Sequence, residues 1–267
     1  MIDHHIINRI HQKLDSIEKE HNVEILFAIE SGSRAWGFAS LDSDYDVRFI
    51  YRHPVTWYLD VIPRRDVIEY PIVDEMDYSG WDLRKMFFLL NKSNSVLFEW
   101  FHSPIQYRRN EEFLQYMKEP FEKFFSPVAT IYHYLHMAEN NYREYLKSDL
   151  VKIKKYFYVL RPLLACYWIE KYRSIPPIEF EELFKAVNID AELHAIITDL
   201  LERKRKGYEP EKEKRIDLLN DYIEKSIVRF QKVAKEYIPT EKPGVDYLNQ
   251  KFSDFVTGYY LKNQSTF

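Results

Sequence analysis

The feature that most restricts how this chain can fold lies near its start. Residues 23–29 form a short apolar run suited to a buried strand, and the run ends at Ser31-Gly32-Ser33. Ten residues separate Ser33 from Asp44, where a second strand is predicted over 44–51. Its alternation is clean: Asp44, Asp46 and Arg48 share one face, while Tyr45, Val47, Phe49 and Tyr51 share the other. A Gly-Ser turn that opens a helix exposes backbone N–H groups and the Ser33 hydroxyl, a cradle for phosphate oxygens. Two carboxylates on one face of a strand repel each other unless a cation lies between them, and Mg²⁺ favours such oxygen ligands. A hairpin with solvated aspartates would explain each part but not the set.

Around this unit the chain reads mainly as helix. Only 6 of 267 residues are glycine, about 2% against a usual ~7%, so tight left-handed turns are few. Ile6, Ile7, Ile10, Leu14 and Ile17 recur at helical spacing and predict an amphipathic helix over 3–21. After Pro54 and Pro63 the best strand candidates are 66–70 and 73–78, the latter ended by Gly80, with helices following over 82–91 and 95–101. From Pro127 the pattern is helical throughout, over 128–147, 149–173, 178–187, 190–206, 212–237 and 245–260. Ser148 or Asp149 is the expected N-cap of the second of these, and Pro162 its expected kink. The charged stretch 202–215 is read as a helix end and a solvated loop. The fold class is therefore α+β: a small mixed sheet with helices over 1–125, followed by an all-helical domain over 126–267.

Composition excludes several functions. With Lys+Arg 38 against Asp+Glu 42 and 30% charged residues, the chain is neither disordered nor coated by nucleic acid through bulk charge. No apolar run approaches the ~20 residues of a membrane span. Asp3, His4 and His5 stand where a secretory leader would carry a basic flank, and Cys166 has no disulfide partner within the chain, so a cytoplasmic location is expected. His133 and His136 lack the pattern of a zinc site, and Cys166 among apolar neighbours reads as core.

Against the acidic balance, residues 151–161 carry Lys152, Lys154, Lys155 and Arg161 with no acid. Lys154, Tyr158 and Arg161 share one side of that helix and Lys155 is adjacent. Such a face can hold a triphosphate and stack a base, or can be merely a solvated basic surface. Lys85, on the helix after Gly80, carries the same two readings.

The whole arrangement resembles the DNA polymerase β-like nucleotidyltransferases, whose signature is an apolar residue, Gly-Ser, a spacer and Asp-x-Asp. Further blocks resemble the RNA-repair-ligase-associated predicted nucleotidyltransferases: Gly80-Trp81-Asp82-Leu83-x-Lys85, Glu99-Trp100-x-x-Ser103-Pro104-Ile105-x-Tyr107 and Lys155-Tyr156-x-Tyr158-x-Leu160-Arg161-Pro162. Asn94-Ser95 stands where that pattern has Asn-Pro. The resemblance implies transfer of a nucleoside monophosphate from a nucleoside triphosphate, ATP among them, to a hydroxyl acceptor such as an RNA 3′ end. It implies two Mg²⁺ ions on Asp44 and Asp46, and a third carboxylate from a neighbouring strand. Asp77 is chosen for that ligand and as proton acceptor, with Glu69, Asp74 and Glu75 as competitors. Nucleotide contacts are expected from Gly32, Ser33, Arg34, Ser43, Lys85, Lys155, Tyr158 and Arg161. Modification of a protein or small molecule, or a catalytically idle nucleotide- or RNA-binding module, are the alternative functions.

Overall fold

Strands β1 (Glu24–Glu30), β2 (Tyr45–Arg52), β3 (Val67–Glu69), β4 (Met76–Asp82) and β5 (Gln106–Arg109) form one sheet in the order β3-β4-β2-β1-β5. The structure is a computed structural model and describes residues 2–40, 43–208, 212–238 and 241–258. Only β2 and β4 run parallel; the other neighbours are antiparallel.

Helix α1 (His4–His21) begins at Asp3, whose carboxylate caps the His5 N–H, and lays Ile10, Leu14 and Ile17 on one sheet face against Ile25, Val47, Phe49 and Tyr51. The short helices α2 (Gly32–Ala35) and α3 (Val55–Tyr58) flank β2 in sequence. The second face is covered by α4 (Leu83–Asn91), α5 (Ser95–Phe101) and α6 (Glu111–Phe124), which bury Leu26, Phe27, Ile29 and Ile50. Ile50 therefore shares the face of Asp46 and Arg48. The polar end of that face is where the site forms.

The helical layer consists of α7 (Pro127–Tyr145), α8 (Lys154–Tyr172), α9 (Phe180–Ala186), α10 (Ala191–Arg205) and α11 (Asp217–Glu236) around a core of their own. Strands β6 (Leu150–Val151) and β7 (Glu213–Lys214) pair ahead of α8 and α11. Helix α12 (Val245–Thr257) recrosses the 125/126 division and packs on the sheet layer, with Phe252 against Tyr58 and Phe87 and Phe255 against Phe113. Among the described residues, no helix is long and apolar enough to cross a membrane.

Several boundaries differ from the sequence expectation for identifiable reasons. Gly80 does not end a strand but sits inside β4 opposite Phe49, where an added Cβ would lie 2.1 Å from the Phe49 ring. Asp74 and Glu75 take left-handed backbone, so β4 starts at Met76 rather than at residue 73. Ser148 and Asp149 do not cap α8, because the β6–β7 pairing intervenes and Ile153 takes the cap position. Strand β5 and helix α6 have no counterpart in the sequence expectation, although Asn110 caps Phe113 and Glu111 and Glu112 fill the first turn, a readable helix start. Residues 259–260 of the helix expected over 245–260, and Pro210 in the charged loop, lie outside the described residues.

Candidate active site

The Gly-Ser turn and the Asp-x-Asp strand are tied together by backbone and by one arginine. The Ser31 N–H donates to the Asp46 carbonyl at 2.8 Å as β1 gives way to α2. Gly32 has φ +60°, and an added Cβ would stand 2.0 Å from Asp46 Oδ2. Only glycine lets the carboxylate lie over the turn. Arg34 donates to the carbonyls of Ser43 at 2.6 Å and Asp44 at 3.1 Å, and its guanidinium covers the Tyr45 ring at 3.8 Å. The Ser43 hydroxyl accepts from the Ser40 N–H. Arg34 and Ser43 thus brace the loop between the two halves of the signature.

Parallel pairing sets Asp46 directly beside Asp77. Their side chains are 26% and 24% exposed, and a single nitrogen of Arg48 joins Asp46 Oδ1 at 3.0 Å and Asp77 Oδ2 at 2.7 Å. Burial raises the Asp46 carboxyl, Arg48 draws it back down, and the charges of Asp77 and Asp44 push it up again. Asp44 is exposed at the approach to β2. Of the competitors for the third carboxylate, Asp74 pairs with Arg9 and Glu69 with Arg65, while Glu75 is exposed in the turn ahead of β4.

The donor chemistry fits a hard divalent cation. Asp46 and Asp77 present carboxylate oxygens to one point, the donor type that Mg²⁺ favours, and the Arg48 guanidinium holds that point here. Among the described residues, no three His, Cys, Asp or Glu side chains gather as a metal-holding group; Asp44 precedes β2, and its charge reaches Asp46.

Glu30, at the end of β1, carries no role in the sequence reading. It is fully buried, accepts from the Asp46 N–H at 3.0 Å and from the Tyr107 hydroxyl at 2.6 Å, and so supports the strand segment that carries Asp46. Burial pushes its carboxyl up to about 7, against the opposing hydrogen bonds of Tyr107 and Asp46. A lone acid closing an apolar strand was the available signal.

A pH dependence follows from Glu30. A folded-state value near 7 against an ordinary 4.5 favours the protonated acid, so its contribution to stability is complete below about pH 4.5 and lost as pH rises through about 7. In metal-free protein, Glu30→Gln should remove this loss, on the order of 3 kcal/mol. Urea denaturation across that range should show the variant gaining on the parent as pH rises; parallel curves would remove the assignment.

The residues chosen on α8 fall into two groups. Tyr158 is 37% exposed and meets the edge of Trp36, just beyond α2, at 5.7 Å. Lys155 lies over the rings of Tyr145 at 3.7 Å and Tyr158 at 4.9 Å, with its ammonium lowered by burial and by Lys154 and Lys152. Tyr158 thus meets the residue that follows α2, and Lys155 lies against Tyr158. Arg161 instead points inward, 2% exposed, paired with Glu99 at 2.9 Å and stacked 4.7 Å from Trp36. Its Nε donates to the Ile178 carbonyl. Such a buried arginine braces α2 through Trp36 rather than offering its charge to solvent. Arg161→Met should cost about 3–5 kcal/mol by stranding Glu99, read as a lowered urea midpoint. Lys85 follows the end of β4 opposite to Asp77 and pairs with Asp66 at 3.3 Å, so the fold does not bring it to the carboxylates.

The chain is similar to known proteins. Residues 6–254 match the family described as RlaP, RNA repair pathway DNA polymerase beta family. The uncharacterized protein YcgL of Bacillus subtilis (strain 168) is 48% identical over 242 residues, covering 91% of this chain and 93% of that one. A solved nucleotidyltransferase-like protein from Exiguobacterium sibiricum 255-15 aligns with a TM-score of 0.31 at 11% identity, over 85% of this chain and 74% of that one.

Proposed function

The chain belongs to the RNA repair pathway DNA polymerase beta family, of nucleotidyltransferase type, and we propose accordingly that it transfers a nucleoside monophosphate from a nucleoside triphosphate to an RNA 3′ hydroxyl. The observation that carries this reading is the placement of Asp46 beside Asp77 on parallel strands, over a glycine whose missing side chain leaves room for the carboxylate. In-line displacement at an α-phosphate requires positioning and charge compensation more than covalent help from the protein.

In this proposal Asp46 and Asp77 hold Mg²⁺, with Asp44 joining from the exposed approach. Bound there, the ion would offset triphosphate charge and make the acceptor hydroxyl easier to deprotonate. Asp77 accepts the acceptor's proton. The Ser33 hydroxyl and the N–H groups of the turn at Gly32 orient phosphate oxygens, with Arg34 and Ser43 keeping that turn fixed against β2. Lys155 supplies positive charge to the triphosphate and Tyr158 stacks on the base, both reaching over from the helical layer. Arg161 acts through Trp36 as a positioning residue, and Lys85 has no part.

The test measures binding of each nucleoside triphosphate, labelled in the α-phosphate, and offers it with Mg²⁺ to an RNA ending in a 3′ hydroxyl, to the same RNA ending in 3′ deoxyribose, and to protein and small-molecule acceptors. Label joined only to the hydroxyl-ended RNA is the expected result. Label joined to a protein or small-molecule acceptor and not to RNA would replace the acceptor, and nucleotide binding without transfer to any of them would leave a binding module.

A further inference from the structure

Arg48 occupies the position that the carboxylates offer to a cation. One of its terminal nitrogens bridges Asp46 and Asp77, and the other donates to the carbonyls of Val47 at 3.2 Å and Asp77 at 3.0 Å. The side chain is only 18% exposed, so this contact is screened weakly by solvent. A guanidinium does not lose its proton in the accessible pH range, and pH alone therefore cannot empty the position.

We propose that Arg48 governs metal loading at this site: its guanidinium holds Asp46 and Asp77 in the metal-free protein, keeps out a divalent cation that arrives alone, and moves to the triphosphate when metal and nucleotide arrive together. The inference rests on the metal reading above. Two carboxylates carry two negative charges, and the guanidinium neutralises one of them. An incoming divalent cation then meets a net charge of one rather than two. A triphosphate changes the balance, because its oxygens give the displaced guanidinium a partner of equal quality. Arg48 lies on the same strand face as Asp46, two residues along, and so stays within the same site as it changes partner. The coupling runs both ways: nucleotide favours metal, and metal favours nucleotide.

The test counts free Mn²⁺ by electron paramagnetic resonance during titration of the full chain at mildly alkaline pH. It compares the parent, Arg48→Gln, Arg48→Lys and Asp46→Asn, each with and without α,β-methylene-ATP, which cannot be cleaved at the α-phosphate. Without nucleotide, Arg48→Gln should bind Mn²⁺ about tenfold more tightly than the parent or better. Arg48→Lys keeps the charge but not the bridging fork, and should bind with a smaller gain. The nucleotide analogue should tighten Mn²⁺ binding strongly in the parent and much less in Arg48→Gln. Circular dichroism identifies any variant that fails to fold, and if Arg48→Gln does, the gain in Arg48→Lys decides. Mn²⁺ bound no more tightly by the folded Arg48 variants than by the parent, while Asp46→Asn weakens it, overturns the role of Arg48 alone. No Mn²⁺ binding in any form, with or without nucleotide, overturns the metal reading and this inference with it.

Discussion

Asp46→Asn is expected to reduce nucleotide transfer on the order of 10³-fold while leaving the metal-free fold as stable as the parent or more so. The two outcomes have one cause. Burial and the neighbouring charges of Asp77 and Asp44 raise the Asp46 carboxyl above its ordinary range, so its charged form is disfavoured in the folded state. A group raised in this way contributes stability that is present at low pH and lost as pH rises through its folded value, and neutral Asn does not incur that loss. Arg48 keeps its contact with Asp77 at 2.7 Å, so no buried cation is stranded. The same charge is what a metal ion needs. Melting curves and initial rates on the same preparation should therefore move in opposite directions, and a parallel loss of stability and rate would mean that Asp46 is structural.

Gly32→Ala should be nearly as damaging for a different reason. Its Cβ would stand 2.0 Å from Asp46 Oδ2 and 2.9 Å from Asp46 Cγ, so the carboxylate must leave its place over the turn. The left-handed backbone adds about 1–2 kcal/mol for any residue with a Cβ. We expect a rate loss on the order of 10²-fold, as displaced catalytic groups commonly give. Gly207→Ala is the control: it shares positive φ, at +71°, but its Cβ would meet nothing within 4 Å. It should lose stability and keep full activity, whereas equal activity in both variants would remove the crowding argument.

The parts of the molecule legible in the sequence were those governed by local period. The alternation over β2 holds at Val47, Phe49 and Tyr51, which share one core with α1, although Asp44 falls ahead of the strand and Ile50 is buried on the opposite face; α1 itself runs over nearly the expected residues. Asp77 could be placed near Asp46 from the family signature, but its pairing depends on β4 starting at Met76, which the turn at Asp74 and Glu75 decides. Gly80 misled because a glycine in a strand and a glycine ending one look alike until Phe49 is seen across the sheet. Arg161 illustrates the same limit for charge. Sequence counts its cation with those of Lys152, Lys154 and Lys155, yet only the arrival of Glu99 and Trp36 from separate elements reveals that it faces inward. Glu30 and Arg48 were invisible as functional groups since both depend on cross-strand neighbours, and α12 returns to the sheet layer through contacts that no local pattern encodes.

The central claim concerns which phosphate bond breaks, and it is tested by following the α- and γ-phosphates of one nucleoside triphosphate in parallel reactions with Mg²⁺ and hydroxyl-ended RNA. Attack at the α-phosphate joins the α label to the RNA and releases the γ label as pyrophosphate, with neither product formed when the metal is chelated. That is the expected result. Release of the γ label as orthophosphate, its transfer to the RNA, or unchanged pyrophosphate release without metal would contradict the assignment of this site to nucleotidyl transfer.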